Sequence, residues 1–335
     1  MRVAPAGMLV ALACAGGVAY AAAKDPLGVI GPSNGIQPTG RLLKPEGRLT
    51  QLGNLTTGGA LTPNGRYLWA LSTGRGRNDV RIVQVAKTKC GKKGKKAKRC
   101  NRRAGKKVGR VVQTIPFPGL SGGIAMAPDG RTAYVSGLKD SEHQPEEVDP
   151  SVPGRQGDVI HILHYDPKTG LASRAGTIPV PPPNYAPPAQ SFPPSSQRIS
   201  WPRDIAISKN GRTLLVALNL ADAAAIIDTA TGSVRYVPVG HYPYGAGIRG
   251  DGRYGMVTSE TQGTVSVIDL ATANVVKTIQ VAPRLSHPEA IAVDPRAPLA
   301  FVANANQDTI TVINTDRMEV ARFRWPGPCP GIGKI

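Results

Sequence analysis

Three proline-flanked segments carry side chains that could do chemistry. Pro202 is followed by Arg203 and Asp204, His241 and Tyr244 bracket Pro243, and His287 and Glu289 sit on either side of Pro288. Imidazoles and carboxylates exchange protons, while a guanidinium or a phenol can hold an oxygen that bears negative charge. Gathered in one place, Arg203, Asp204, His241, Tyr244, His287 and Glu289 could bind a small polar ligand or a metal, or host acid–base catalysis. The plainer alternative is the polar lining of a solvated channel.

Other groups of the same types read as structural. His161 and His164 lie three residues apart, and on a strand they project from opposite faces. Asp140, Glu142, Glu146, Glu147 and Asp149, with His143 among them, lack the spaced oxygens and the glycine of a calcium loop, which leaves a solvated acidic loop. Cys90 and Cys100 have nine residues between them. With no histidine or second cysteine pair nearby, a disulfide is expected there rather than zinc. No metal-ligand set and no cofactor motif is visible. Asn54-Leu55-Thr56 is a glycosylation triplet, which matters only in a host that modifies it.

The elements that would position these residues are legible as a repeat. Residues 59–66 (GALTPNGR), 123–131 (GIAMAPDGR), 204–212 (DIAISKNGR) and 245–253 (GAGIRGDGR) each read as a short apolar strand, a tight turn and an arginine. A fifth copy, residues 289–296 (EAIAVDPR), keeps the strand and loses the glycine. Asn-Gly and Asp-Gly between apolar runs mark hairpins, because a two-residue turn that matches strand twist needs positive φ at both positions. A second, a third and a fourth strand follow each turn. Four antiparallel strands in about 41 residues, the separation of Gly211 and Gly252, is the mark of a β-propeller blade. The Arg66, Arg131, Arg212 and Arg253 side chains, directly after tight turns, are then structural, as are Asp228, Asp269 and Asn314 at the ends of third strands. The proline-flanked segments fall where blades join, so their side chains meet at the mouth of the central channel.

Longer spacings measure insertions: a basic hairpin (residues 87–110), an acidic loop (139–157) and a proline-rich loop (181–202). The chain of 335 residues carries a formal charge of +19, but residues 87–110 hold 13 lysines and arginines and no acid, leaving +6 elsewhere. That hairpin suits an anionic polymer, with no interleaved aromatic to stack on bases. Residues 1–23 read as a signal peptide, with a basic start, a short apolar stretch and small-x-small cleavage options. Cys14 is an alternative lipid acceptor. Export to the periplasm, cell envelope or medium follows, with no transmembrane span in the mature chain. Residues 24–46 form an N-terminal segment, and residues 47–335 the propeller.

Residues 245–281, with SVIDLATANVVKTIQV after an Asp-Gly hairpin, resemble the YVTN-type repeat of YncE-like and lactonase-like propellers, which usually have seven blades. More narrowly, GRLLKPEGRLTQLGN, ISWPRDIAIS and LNLADAAAIID resemble the propeller half of secreted bacterial proteins that join such a domain to an alkaline-phosphatase-like phosphoesterase. The resemblance implies a partner phosphoesterase domain that this chain does not contain, and it implies no activity of that kind here. Five repeats are visible, and Cys329-Pro330-Gly331 matches the opening of a sixth, so a truncated seven-blade ring is expected, with a closed five-blade ring as the alternative. Residues 48–53 resemble a fourth strand without a blade of its own. The expected function is an exported binding module without a catalytic set. A lactonase-type hydrolase at the channel mouth and a polyanion binder are the alternatives.

Overall fold

The computed structural model describes residues 50–53, 55–73, 78–86, 107–138, 158–187 and 198–321. The expected signal peptide, the Cys14, Cys90, Cys100 and Cys329 sites, the acidic loop, most of the basic hairpin and the opening of a sixth repeat lie outside the described residues.

The described residues fold as five four-stranded antiparallel sheets, each built from consecutive strands. Blade 1 comprises β1 (Thr56–Leu61), β2 (Tyr67–Ser72), β3 (Asn78–Gln84) and β4 (Arg110–Phe117). Blade 2 comprises β5 (Leu120–Met126), β6 (Thr132–Leu138), β7 (Asp158–Tyr165) and β8 (Ala172–Pro179). Blade 3 comprises β9 (Pro202–Ile207), β10 (Thr213–Leu218), β11 (Ala223–Asp228) and β12 (Val234–Pro238). Blade 4 comprises β13 (Pro243–Ile248), β14 (Tyr254–Ser259), β15 (Thr264–Asp269) and β16 (Asn274–Gln280). Blade 5 comprises β17 (Pro288–Val293), β18 (Leu299–Asn304), β19 (Thr309–Asn314) and β20 (Glu319–Val320). The hairpin glycines take positive φ, 65° at Gly65, 67° at Gly130, 75° at Gly211 and 76° at Gly252, but the Asn or Asp before each does not. Five residues rather than two separate the paired strands, so the expected two-residue turn is replaced by a longer one that needs only the glycine in the left-handed region.

Side chains alternate across each sheet, so the two faces of one strand feed two different cores. From β10, Leu214, Val216 and Leu218 pack against blade 2, while Leu215 and Ala217 pack against blade 4. Trp69, Leu71 and Ile82 meet Val135 and Leu163 between blades 1 and 2, and Met256 and Val267 meet Val302 and Ile313 between blades 4 and 5. First strands lie side by side in chain order, β1 on β5, β5 on β9, β9 on β13 and β13 on β17. They form the inner wall, and the fourth strands the exposed rim.

Five blades thus share four cores among the described residues. Blade 5 turns Phe301 (40% exposed) and Ile310 (69%) outward, where the matching positions of inner blades are buried. The expected extra strand at residues 48–53 is absent from the part described, residues 50–53.

Candidate functional site

The mouth is built by one backbone device used three times. β9, β13 and β17 each begin with a proline, and the residue before it takes positive φ: Trp201 at 47°, Tyr242 at 52° and His287 at 49°. Its carbonyl accepts the N–H of the residue just past the second strand of the same blade, from Asn219 (3.0 Å), Glu260 (3.1 Å) and Ala305 (2.9 Å) respectively. Left-handed backbone at bulky residues is a local strain. Three blades share it, so it belongs to the junction and not to one reactive residue. Its consequence is positional: the side chains flanking each proline and the side chain past the second strand emerge at the same level.

The second residues of the five first strands form a row along the inner wall: Thr57, Ser121, Arg203, Tyr244 and Glu289. Thr57 shares a hydrogen bond with Thr73 (3.0 Å). Arg203 donates from Nη1 to the Ser121 carbonyl (2.8 Å) and from Nη2 to the Tyr244 hydroxyl, with its guanidinium carbon 4.4 Å from the Tyr244 ring centre. The pair fixes a cation in place beside a phenol.

Next to it the structure assembles the densest titratable group in the mouth. Glu260, His287 and Glu289, all half-buried, bring one ligand atom each to within 4.8 Å of one another. Burial pushes the Glu260 carboxyl above the usual carboxylate range, and the Glu289 charge adds to the rise. His287, Arg203 and a hydrogen bond from Asn219 work against it. Glu260 is the residue that sequence reading missed. Its signal was available in the repeat, since it holds the place past the second strand that Thr73, Asn219 and Ala305 hold in other blades.

The other expected members do not join this group. Asp204 is a tie between blades: its carboxylate accepts the N–H of Ile205 (2.9 Å) and that of Ala246 on β13 (3.0 Å). Burial keeps its carboxyl above the ordinary range, against the pull of those two bonds and of Arg203. His241 stands on the rim, its side chain 64% exposed, with Nδ1 2.6 Å from Asp222 Oδ2. His161 is buried edge-on against Phe117, ring centres 4.8 Å apart, while His164 is exposed on the other face of β7. The hairpin Arg66 donates to the Pro167 and Lys168 carbonyls (3.4 and 3.1 Å). Asp228, Asp269 and Asn314 each accept two N–H groups of the following turn, at 2.9 to 3.1 Å. A cleft of about 870 Å³ opens on the opposite face between the hairpin turns of blade 2, lined by Asp129, Arg131, His164 and Lys168.

Comparison with solved structures bears on the architecture. The chain is a β-propeller. It is similar to a Bacteroides uniformis protein described as a candidate 6-phosphogluconolactonase (TM-score 0.54, 11% identity, 81% of this chain and 72% of that one). It is also similar to the periplasmic gluconolactonase of Pseudomonas aeruginosa (TM-score 0.51, 18% identity, 80% and 68%). A third is a protein of unknown function from Desulfotomaculum acetoxidans (TM-score 0.52, 16% identity, 81% and 72%). At these identities the likeness is one of fold. No family's sequence profile and no curated protein sequence matches the chain. Among the described residues, no helix is long and apolar enough to cross a membrane.

Proposed function

We propose that the channel mouth hydrolyses lactones, the sugar-acid kind first, within an exported propeller of the YVTN type. The observation that carries this is the meeting of Glu260, His287 and Glu289 within 4.8 Å beside the fixed Arg203–Tyr244 pair. Ring opening adds water to an ester carbonyl, forms a C–O bond, breaks the acyl–oxygen bond and hands a proton to the departing alkoxide. It needs a base near the water and positive charge near the carbonyl oxygen. The carboxylate and imidazole group meets the first need and Arg203 with the Tyr244 hydroxyl the second. Two of the structural neighbours bear gluconolactonase names, which supports this reading over a binding module without catalytic residues.

The test is ring opening of glucono-1,5-lactone by the full chain, followed as acid release in a pH-stat. Turnover above the spontaneous rate is expected, falling by about 100-fold or more in Glu289→Ala, as for loss of a positioned proton-transfer group. A wild-type rate equal to the spontaneous one, across a panel of five- and six-membered lactones, refutes it.

A further inference from the structure

Glu260 projects from the end of β14, while His287 and Glu289 flank Pro288 at the start of β17. Two adjacent blades therefore deliver two carboxylates and one imidazole to a single point. Like charges so close repel, and among the described residues no lysine or arginine forms an ion pair with either carboxylate. Arg203 directs its Nη1 and Nη2 to the Ser121 carbonyl and the Tyr244 hydroxyl. A small positive charge at the centre would relieve the repulsion and use all three donors.

We propose that Glu260, His287 and Glu289 hold a divalent cation, with water in the coordination positions that the protein leaves open. This deepens the hydrolase reading, on which its use in catalysis rests, by naming an ion for the same site. Donors on one ion with bonds near 2.1 Å stand roughly 3 to 4 Å apart, so the set must close by about 1 Å. Rotation of the two glutamate side chains supplies that movement, since His287 is held through its carbonyl by Ala305. Asn219 hydrogen-bonds the Glu260 carboxyl and also donates to the Pro243 carbonyl (3.0 Å), which orients the ligand from the third blade. Two carboxylates with one imidazole suit Mn²⁺, Fe²⁺ or Zn²⁺. Ca²⁺ calls for six to eight oxygens, and soft monovalent copper prefers sulfur. Three protein ligands with open positions also leave room for a substrate oxygen next to Arg203.

Mn²⁺ is the probe, because as a hard ion it disregards the sulfur of the chain's four cysteines. The full chain, stripped with chelator and dialysed, is titrated with Mn²⁺ while the free-ion signal is followed by electron paramagnetic resonance. One ion per chain is expected, bound about tenfold or more weakly in Glu289→Gln and in His287→Gln, and unchanged in His164→Gln on the opposite face. Circular dichroism melts of each variant guard against a folding defect, and Glu260→Gln offers a third ligand change if one variant fails to fold. No stoichiometric binding by the wild type, or equal binding by the ligand variants, overturns the proposal. Binding without lactone turnover upholds the ion and overturns the hydrolase reading. Turnover in the chelated protein with no ion bound does the reverse.

Discussion

Replacing Asp204 with alanine separates two roles that a carboxylate at a channel mouth could have. In the structure it is a structural tie: one oxygen accepts the Ile205 N–H and the other the Ala246 N–H, joining blade 3 to blade 4. Ile205 and Ala246 are each only 5% exposed, so removing the carboxylate takes away the acceptor of two sheltered N–H groups. Hydrogen bonds to a charged group contribute about 1.5–3 kcal/mol each and neutral ones about 0.5–1.5. Desolvation of this carboxyl offsets part of the gain, so the lower part of that scale applies. The pair then amounts to roughly 2–3 kcal/mol. For a unit of this size that lowers Tm by about 5–8 °C. Asparagine rescues at most half, because its one carbonyl oxygen serves one N–H while its amide nitrogen faces the other, donor against donor.

The pH dependence sharpens the test. Asp204 has a folded pKa raised above the unfolded value, so between the two the native state binds more protons than the unfolded one. Its contribution is therefore largest below the unfolded value and declines as pH rises through the folded one. The deficit of Asp204→Ala should widen as pH falls from 8 towards 4, opposite to the behaviour of an ion-paired carboxylate. Thermal melts by circular dichroism at pH 4.5 and pH 8, alongside lactone turnover at 25 °C, give the answer. A Tm within 2 °C of wild type at both pH values, with turnover abolished, would refute the assignment and return Asp204 to the reacting group.

Two further outcomes follow from the same contacts. A Cβ added at Gly245 would lie 2.2 Å from the Glu289 carbonyl oxygen and 3.0 Å from the Ile291 nitrogen, both backbone, so Gly245→Ala should cost about 1–3 kcal/mol and misplace Glu289; urea midpoints and turnover should fall together. The turn aspartates Asp228 and Asp269 have carboxyls held below the usual range, chiefly by the N–H of Thr231 and of Thr272 respectively. Stability from them is present above the unfolded value, near 4, and is lost as pH falls through the folded one. Asn314 performs the same turn without a charge. The double change Asp228→Asn with Asp269→Asn should therefore lower the neutral-pH urea midpoint a little and flatten its decline into acid, so that variant and wild type converge at low pH; an unchanged acid limb would contradict it.

The blade pattern was legible because its signals are local. A tight-turn dipeptide, an alternating apolar strand and a short polar cap each act within a few residues, and they recur every 41 or so, which converts weak signs into a register. Blade membership of all five sheets, and the structural place of Asp228, Asp269 and Asn314, follow from that register. The site was only half legible, because the register predicts which positions face the mouth and not which of them touch. His287 and Glu289 were found by their proline. Asp204 was misread, since its neighbour Arg203 faces the mouth while the next residue along the strand points the other way, into the seam with β13. Glu260 was passed over because no proline marks it, although it differs from Thr73, Asn219 and Ala305 at the same station.

That contrast also says where a ligand would lie. Along the inner wall the backbone repeats, and only the side chains at two stations per blade change. Blade 1 presents the hydroxyls of Thr57 and Thr73, blades 3 and 4 the Arg203–Tyr244 pair, and blades 4 and 5 the Glu260, His287 and Glu289 group. A lactone set in this row would turn its carbonyl oxygen to the guanidinium and phenol, its reacting carbon to the acids and imidazole, and its hydroxyls to the threonine side. Because the scaffold is held by four buried cores, changing one of these side chains should redirect chemistry without moving its neighbours. Exchanging Glu260 for the asparagine of the preceding blade is the smallest such change: it removes one negative charge from the group and leaves the 3.1 Å backbone bond to Tyr242 in place.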